Sequence, residues 1–122
     1  MQLQLTTIHV DDLEESKRFY QNILELEEVK RLSPRPGVEI SFLSDQAGGT
    51  IELIAEDTEV SESSSRVSIG FEIDNMAELV ENLEEQGIEL LRGPIETGSG
   101  TKLAFIEDPN GVEVEFIAGL TL

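Results

Sequence analysis

The spacing of apolar residues predicts a strand, a helix and three further strands in the first half of the chain. Apolar and polar residues alternate over 3–10, as is typical of a strand with one buried face. Asp12 and Glu15 then form a capping pattern that opens a helix. The buried stripe of this helix is predicted to consist of Leu13, Phe19, Tyr20, Ile23 and Leu24. Three strands are predicted after it, at 26–32, 38–44 and 50–55.

The sequence repeats itself at a constant offset of 63 residues, from Glu52 to Glu115. The segment SDQAGGTIELIA (44–55) aligns without a gap on EDPNGVEVEFIA (107–118), and the same offset pairs Phe42 with Phe105. The second copy should therefore contain the same elements. They are a strand at 67–73, a helix capped by Asn75 and Glu78 with Met76, Leu79, Val80 and Leu83 buried, a helix end at Gly87, and strands at 88–91, 102–107 and 112–117.

Two βαβββ modules predict the α+β class. We expect one domain over 1–122, built of modules 1–59 and 66–122 that are joined by the polar linker at 56–65. With one helix in each module, the strands cannot form an alternating parallel sheet. They should form a mostly antiparallel sheet with helices on one side, and this sheet should curl around a cup on the other side.

Period-2 alternation assigns each strand residue to one face of the sheet. The helix-covered face is predicted to carry Ile8, Val10, Ile51, Leu53, Phe71, Ile73, Val114 and Phe116. The cup face is predicted to carry Leu5, Thr7, His9, Glu52, Ile54, Ser68, Gly70, Glu113, Glu115 and Ile117. The lining therefore combines apolar side chains with carboxylates.

Composition excludes several classes of function. The 122 residues include no cysteine, so there is no disulfide, cysteine zinc site or thiol nucleophile. A formal net charge of -18 disfavours nucleic acid and anionic membrane surfaces. We find neither a signal-peptide pattern nor an apolar run long enough to span a membrane, and we expect a cytoplasmic protein.

Two motifs resemble those of the vicinal oxygen chelate superfamily, which includes glyoxalase I, extradiol dioxygenases and bleomycin resistance proteins. The segment VDDLEESKRFY (10–20) is similar to the opening of its modules, and DPNGVEVE (108–115) is similar to their ending. The resemblance covers essentially the whole chain and implies the same fold. Members usually end the first helix with Leu-Gly, whereas this chain has Leu24 and Glu25. If Glu25 must adopt a left-handed conformation, that departure should cost about 1 kcal/mol.

The resemblance also implies where a divalent metal would be bound. In metal-dependent members, a ligand lies five residues before the motif's valine in each first strand, and a glutamate lies on each last strand. Glu52 and Glu115 match the glutamates, but the other two positions hold Leu5 and Ser68. Leucine has no lone pair and a serine hydroxyl is a weak ligand, so we predict no metal site and no cofactor. His9 corresponds to a position that resembles a substrate-contacting site in glyoxalase I.

The roles of Glu52, Glu115 and His9 are left open by the sequence. The two carboxylates could share a proton, bind a cationic ligand or act as a general base. They could equally be former ligands that bond to water and backbone. His9 could contact a ligand or be a hydrogen-bonded strand residue. Tyr20 is predicted to lie in the core.

The leading functional hypothesis is a protein that binds a small organic ligand in its cup without a catalytic metal. The predicted ligand-binding residues are His9, Glu52, Glu115, Leu5 and Ser68. The ligand is expected to be apolar and cationic, and the resemblance implies a homodimer. The alternative is an enzyme of the superfamily, with a lactoylglutathione lyase-like lyase or isomerase activity or a dioxygenase-like one. In that case a divalent metal would be required, and Glu115 and Glu52 would be the catalytic residues.

Overall fold

A computed structural model describes residues 1–57, 66–109 and 111–122 of the chain. In these ranges the elements follow the order βαβββ twice, which confirms the α+β class. They are β1 (Gln2–Val10), α1 (Leu13–Asn22), β2 (Glu27–Arg35), β3 (Val38–Ser44), β4 (Thr50–Glu56), β5 (Val67–Glu72), α2 (Met76–Glu85), β6 (Arg92–Glu96), β7 (Lys102–Glu107) and β8 (Glu113–Ala118). The predicted linker falls outside the described residues from position 58 to position 65.

The chain divides into two compact units. The first unit is Leu5–Val67 with Leu122, and the second is Met1–Gln4 with Ser68–Thr121. In the first unit the strands lie in the order β2-β3-β4-β1, with β1 parallel to β4 and the other pairs antiparallel. In the second unit the order is β5-β8-β7-β6, with β5 parallel to β8. Each unit therefore has the same strand pairing, as the repeat predicts.

Both helices begin at the predicted capping residues. The carboxylate of Asp12 accepts a hydrogen bond from the Glu15 backbone N–H at 3.0 Å. The side-chain oxygen of Asn75 accepts one from the Glu78 N–H, also at 3.0 Å. Each cap satisfies a first-turn donor that has no partner within the helix and stabilises it by about 1 kcal/mol.

Apolar residues of the helix-covered faces form a core in each unit, as the alternation predicts. The first-unit core consists of Leu13, Leu43 and Leu53, with Ile8, Val10, Tyr20, Leu26, Ile51 and Ala55 packed against them. The second-unit core consists of Ile73, Met76, Leu79, Leu83, Ala104 and Phe116, with Phe71, Val80, Leu90, Ile106, Val114 and Ala118 packed against them. The predicted core position of Tyr20 is confirmed. Residues that alternate with these along the strands point away from the helices.

The predicted buried stripe of α1 is wrong for three of its five residues. Phe19, Ile23 and Leu24 are 53%, 66% and 50% exposed. The helix turns by about 100° per residue, so Leu13 and Tyr20 lie on one line while Phe19 and Ile23 lie round its side. Leu24 follows the helix, which ends at Asn22. The part of α1 that faces the sheet is thus narrower than the apolar pattern indicated.

The prediction of a strand at 88–91 is also wrong, because β6 spans Arg92–Glu96. The Ile88 N–H instead donates to the Leu83 carbonyl at 2.9 Å, so this residue closes the end of α2. The strand that forms contains Pro94, and proline cannot donate a ladder hydrogen bond. An edge strand tolerates this residue, and β6 lies at the edge of its sheet among the described strands.

Glu25 adopts the left-handed conformation, with a φ of 59°, as its place in the Leu-Gly motif predicts. We expect Glu25→Gly to raise the free energy of unfolding by about 0.5–1 kcal/mol, because glycine avoids the clash between Cβ and the following carbonyl. Urea denaturation of the two proteins measures this difference. Glu25→Ala is the matched control, since it removes the same charge and retains Cβ. Equal stabilities of the glycine and alanine variants would contradict the explanation.

Candidate functional site

A row of four side chains crosses the strands of the first unit on the face that points away from α1. Lys30 on β2 lies opposite Phe42 on β3. Phe42 lies opposite Glu52 on β4, and Glu52 lies opposite Thr7 on β1. Residues directly opposite one another share a face of the sheet. The strand register therefore places a cation, an aromatic ring, a carboxylate and a hydroxyl side by side.

Glu52 is a buried carboxylate in this row. The residue is 9% exposed, and its Oε1 accepts a hydrogen bond from the Thr7 hydroxyl at 2.8 Å. Burial raises the pKa of the Glu52 carboxyl, because desolvation disfavours the charged form. The Thr7 hydrogen bond favours the charged form and offsets part of the rise. Glu52 can consequently hold or release a proton closer to neutral pH than an exposed glutamate can.

Two other predicted site residues, Leu5 and His9, lie on the same face of β1 as Thr7. Leu5 is 2% exposed and contributes an apolar surface. His9 is half-buried, and its backbone N–H donates to the Arg66 carbonyl at 2.8 Å. The Arg66 guanidinium donates to the His9 carbonyl at 3.2 Å. Arg66 thus bonds to both the N–H and the carbonyl of His9, and the first unit brings Leu5, His9 and Glu52 to one face.

The second unit repeats the row with different chemistry at one end. Gly70 on β5 lies opposite Glu115 on β8. Glu115 lies opposite Phe105 on β7, and Phe105 lies opposite Arg92 on β6. Glu115 is 8% exposed. The predicted site residue Ser68 is buried on the same face, opposite Glu113. Glu52 and Glu115 belong to different units, and their approach to each other remains a prediction.

Arg92 is a member of this row that the sequence reasoning missed. Its guanidinium forms an ion pair with Glu113, and its Cζ lies 4.3 Å from the centroid of the Phe105 ring. A guanidinium over an aromatic face is attracted by the ring's negative charge density. Because β6 was predicted to end at Leu91, Arg92 was not assigned to a face of the sheet. The repeat of Phe42 at Phe105 could have indicated a strand residue beside it.

The donors at the family's metal positions do not fit a resident metal ion. Leu5 offers a buried hydrocarbon, and Ser68 offers a neutral hydroxyl. One oxygen of Glu52 already accepts a hydrogen bond from Thr7. Over the ranges that the structure describes, no three or more histidine, aspartate or glutamate side chains are grouped so that they could share a metal ion. Hard divalent cations require several oxygen or nitrogen ligands from the protein for tight binding.

A cavity of about 510 Å³ lies elsewhere in the second unit. Its lining consists of Met1, Gln2, Glu72, Ile73, Asp74, Asn75, Glu78, Leu79 and Asn82. The predicted site residues are absent from this lining, so the cavity does not mark their position.

In the described chain, no helix has the length and apolar composition needed to cross a bilayer.

Replacing Glu52 with glutamine should stabilise the protein at neutral pH. The folded chain holds the Glu52 proton more tightly than the unfolded chain does, so stability is highest below the unfolded pKa and falls as the pH rises through the folded one. Glutamine removes the buried charge and keeps an oxygen that can accept from Thr7. We expect a gain in the free energy of unfolding of about 1 kcal/mol at neutral pH, which is the low end of the cost of an incompletely bonded buried polar group.

Urea denaturation across the acidic and neutral range measures this effect. The gain should vanish at acidic pH, where Glu52 is protonated in both the folded and unfolded chain. Glu27→Gln is the matched control, because Glu27 is exposed and its loss changes the net charge by the same amount. Equal pH profiles of the two variants would contradict a raised pKa at Glu52.

Comparison with known proteins identifies relatives over nearly the whole chain. The family model of the Glyoxalase/Bleomycin resistance protein/Dioxygenase superfamily matches residues 2–116. A protein of Neisseria meningitidis named Lactoylglutathione lyase is 33% identical over 125 residues, which cover 96% of this chain and 90% of that protein. A protein of the same name from Salmonella typhimurium is 32% identical over 128 residues, with 96% and 92% covered.

Solved structures share the fold at lower identity. A hypothetical protein from Bacillus halodurans superposes with a TM-score of 0.81 at 22% identity, covering 99% of this chain and 96% of that one. Methylmalonyl-CoA epimerase from Mycobacterium tuberculosis superposes with a TM-score of 0.79 at 19% identity, covering 98% and 89%. Similarity of this kind establishes the fold, and the functional argument must come from the residues of the site.

Proposed function

Because the chain belongs to the glyoxalase, bleomycin resistance protein and dioxygenase superfamily, we propose that it binds a small organic ligand without a resident catalytic metal. The proposed binding surface is the face of each unit that points away from the helix. Leu5, His9 and Glu52 contribute to it in the first unit, and Ser68 and Glu115 in the second. The proposal includes a cytoplasmic location and a homodimer.

The buried Glu52 carboxylate is the observation that carries this proposal. A carboxylate that is 9% exposed loses most of its hydration, and burial without full compensation costs several kcal/mol. Proteins retain such costly groups where they contribute to binding or chemistry. The Thr7 hydroxyl supplies a neutral partner at 2.8 Å, which leaves the charge of the ionised form uncompensated by that contact. A ligand with a positive group would supply this compensation.

The surroundings of Glu52 favour a ligand with an apolar body. Leu5 and Phe42 are 2% and 1% exposed, and both lie on the Glu52 face of their strands. Removal of apolar ligand surface from water at this place favours binding by about 25 cal/mol for each Å² that is buried. In the second unit we assign Glu115 to ligand binding, because it is 8% exposed and occupies the strand position that is equivalent to Glu52. We therefore propose an apolar cation as the ligand class.

Thermal shift measurements with two probes of equal length test the proposed ligand class. Hexylammonium should raise the melting temperature, whereas hexanoate should leave it unchanged. The shift should shrink in Glu52→Gln or Glu115→Gln and persist in Glu81→Gln, which removes an exposed carboxylate on α2. Stabilisation by hexanoate alone would overturn the proposed charge preference. An equal hexylammonium shift in all three variants would assign binding to another surface.

A metal-dependent enzyme of the lactoylglutathione lyase type is the second candidate. Relatives with that name are 33% identical over 96% of this chain, and the chain spans 90% of their length. Glu52 and Glu115 also retain the glutamates that the family resemblance assigns to a metal. In this candidate function the two carboxylates would be the catalytic residues. The presence of Leu5 and Ser68 argues against this candidate, because neither side chain is a strong metal ligand.

A further inference from the structure

The contact between Thr7 and Glu52 links two strands of the first unit through buried side chains. Thr7 is 2% exposed and lies directly opposite Glu52 in the parallel pairing of β1 and β4. Its Oγ1 lies 2.8 Å from Glu52 Oε1, within the normal range for a hydroxyl that donates to a carboxylate. Sequence alternation placed Thr7 on this face and gave it no role.

A threonine at this place restricts the direction of the glutamate side chain. The β-branched side chain of Thr7 has few rotamers, so its hydroxyl points in a nearly fixed direction. The longer side chain of Glu52 has several rotatable bonds and would otherwise populate more than one orientation. A hydrogen bond to a charged group is stronger than one between neutral groups. The contact therefore selects the orientation of Glu52 in which Oε1 meets Thr7.

The repeat provides an internal comparison for this contact. The residue opposite Glu115 in the second unit is Gly70, which has no side chain and so cannot donate as Thr7 does. The two glutamates therefore occupy equivalent strand positions with different neighbours. This asymmetry makes the hydroxyl a feature of the first unit rather than a requirement of the βαβββ module.

We propose that Thr7 is a positioning residue that holds one oxygen of Glu52 and leaves the carboxylate oriented to accept from the ammonium group of an apolar cation. This inference rests on the proposed function and adds a residue to it. Thr7 acts through Glu52 and need not touch the ligand. The first unit should consequently discriminate between cationic and anionic ligands more strongly than the shape of its binding surface alone would.

Other charged and titratable groups lie on the same face of the first unit as Glu52. His9 lies two residues after Thr7 on β1. Lys30 lies on β2, opposite Phe42 of β3. Glu27 on β2 is exposed, and Glu56 on β4 forms an ion pair with Arg35 at 3.3 Å. The β3 positions on the same face are Val38, Ile40, Phe42 and Ser44, which do not titrate near neutral pH. These groups are unchanged by substitutions at Thr7.

Thr7→Val and Thr7→Ser separate positioning from packing. Valine keeps the shape of threonine and loses the hydroxyl, whereas serine keeps the hydroxyl and loses a methyl group. The first measurement is the carbon-13 NMR titration of the Glu52 carboxyl in the ligand-free chain. Thr7→Val should raise the pKa of Glu52 further, because a donor to the charged form is lost, and Thr7→Ser should leave it near the wild-type value.

The second measurement is the dissociation constant of hexylammonium, with hexanoate as the anionic comparison. Thr7→Val should weaken hexylammonium binding by about tenfold, the equivalent of one hydrogen bond to a charged group, and Thr7→Ser should restore it. Thr6→Val is the matched control, since Thr6 lies one residue away on the opposite face. Its titration and binding should equal those of the wild type.

The outcomes distinguish failure of the inference from failure of the proposed function. If Thr7→Val leaves the Glu52 titration unchanged, or if Thr7→Ser perturbs it more than valine does, the positioning role is wrong. If hexylammonium fails to bind the wild type while the Glu52 titration responds as expected, the ligand class is wrong and Thr7 still positions Glu52. Thermal melts identify any variant that does not fold. If Thr7→Val does not fold, Thr7→Ala, which also lacks the hydroxyl, is compared with Thr7→Ser, and equal Glu52 titrations in these two variants would overturn the positioning role.

Discussion

Leu53→Ala should lower the free energy of unfolding by about 3–4 kcal/mol, because leucine-to-alanine changes in a core lose the transfer free energy of the side chain and leave a cavity. Leu53 has no exposed surface and packs in the first-unit core with Leu13 and Leu43. Urea denaturation followed by circular dichroism measures the loss. Domains of this size are stable by about 5–15 kcal/mol, so the variant should unfold at a much lower urea concentration.

Leu24→Ala is the control for this substitution. Leu24 is 50% exposed, and its loss should change stability by less than about 1 kcal/mol. The fluorescence of Tyr20, the one tyrosine of the sequence, reports on the first unit. If the chain is one domain as its sequence predicts, fluorescence and circular dichroism should give the same transition. A loss below 1 kcal/mol in Leu53→Ala, or two separate transitions, would contradict these expectations.

No conversion of the hemithioacetal of methylglyoxal and glutathione should be detected when Ni²⁺ or Zn²⁺ is added. Polarisation of substrate oxygens by a metal is worth several kcal/mol, and each 1.36 kcal/mol changes the rate tenfold. Without that contribution the rate should be at least about a thousandfold below that of a lactoylglutathione lyase assayed in parallel. The buried carboxylates can move protons but cannot supply this polarisation alone.

The Neisseria meningitidis relative named Lactoylglutathione lyase serves as the positive control for this assay. Glu115→Gln tests the contribution of the buried carboxylate, and Glu27→Gln tests the loss of an exposed one. Turnover that requires added metal and disappears in Glu115→Gln, but not in Glu27→Gln, would establish the enzyme function and refute the proposed metal-independent one.

The features predicted correctly are those set by local sequence. The alternation of apolar residues in β1 and β4 assigned Ile8 and Leu53 to the helix-covered face, because successive strand residues point to opposite faces. Asp12 and Asn75 identified the helix starts, since these short polar side chains satisfy first-turn N–H groups. The motif comparison likewise indicated the left-handed conformation of Glu25.

The features that the sequence did not predict depend on how helices and strands pack against one another. Phe19 on α1 and Ile23 at its C-terminal end are apolar, yet their burial depends on which side of α1 meets the sheet. The ion pair of Arg92 requires the position of β6, which was predicted at 88–91 and lies at Arg92–Glu96. The Thr7 hydrogen bond requires the register between β1 and β4. Such pairings are fixed by tertiary structure and are not encoded in a single segment.

The metal content of the purified chain tests the central claim most directly. The protein is dialysed against buffer that contains Zn²⁺, Ni²⁺ and Mn²⁺, then against metal-free buffer, and analysed by elemental mass spectrometry. We predict less than about a tenth of an equivalent of each metal per chain, because two carboxylates supply too few ligands and leave divalent cations largely hydrated and weakly bound. Retention of about one equivalent that is lost in both Glu52→Gln and Glu115→Gln would contradict the account and show that these two carboxylates hold a metal ion.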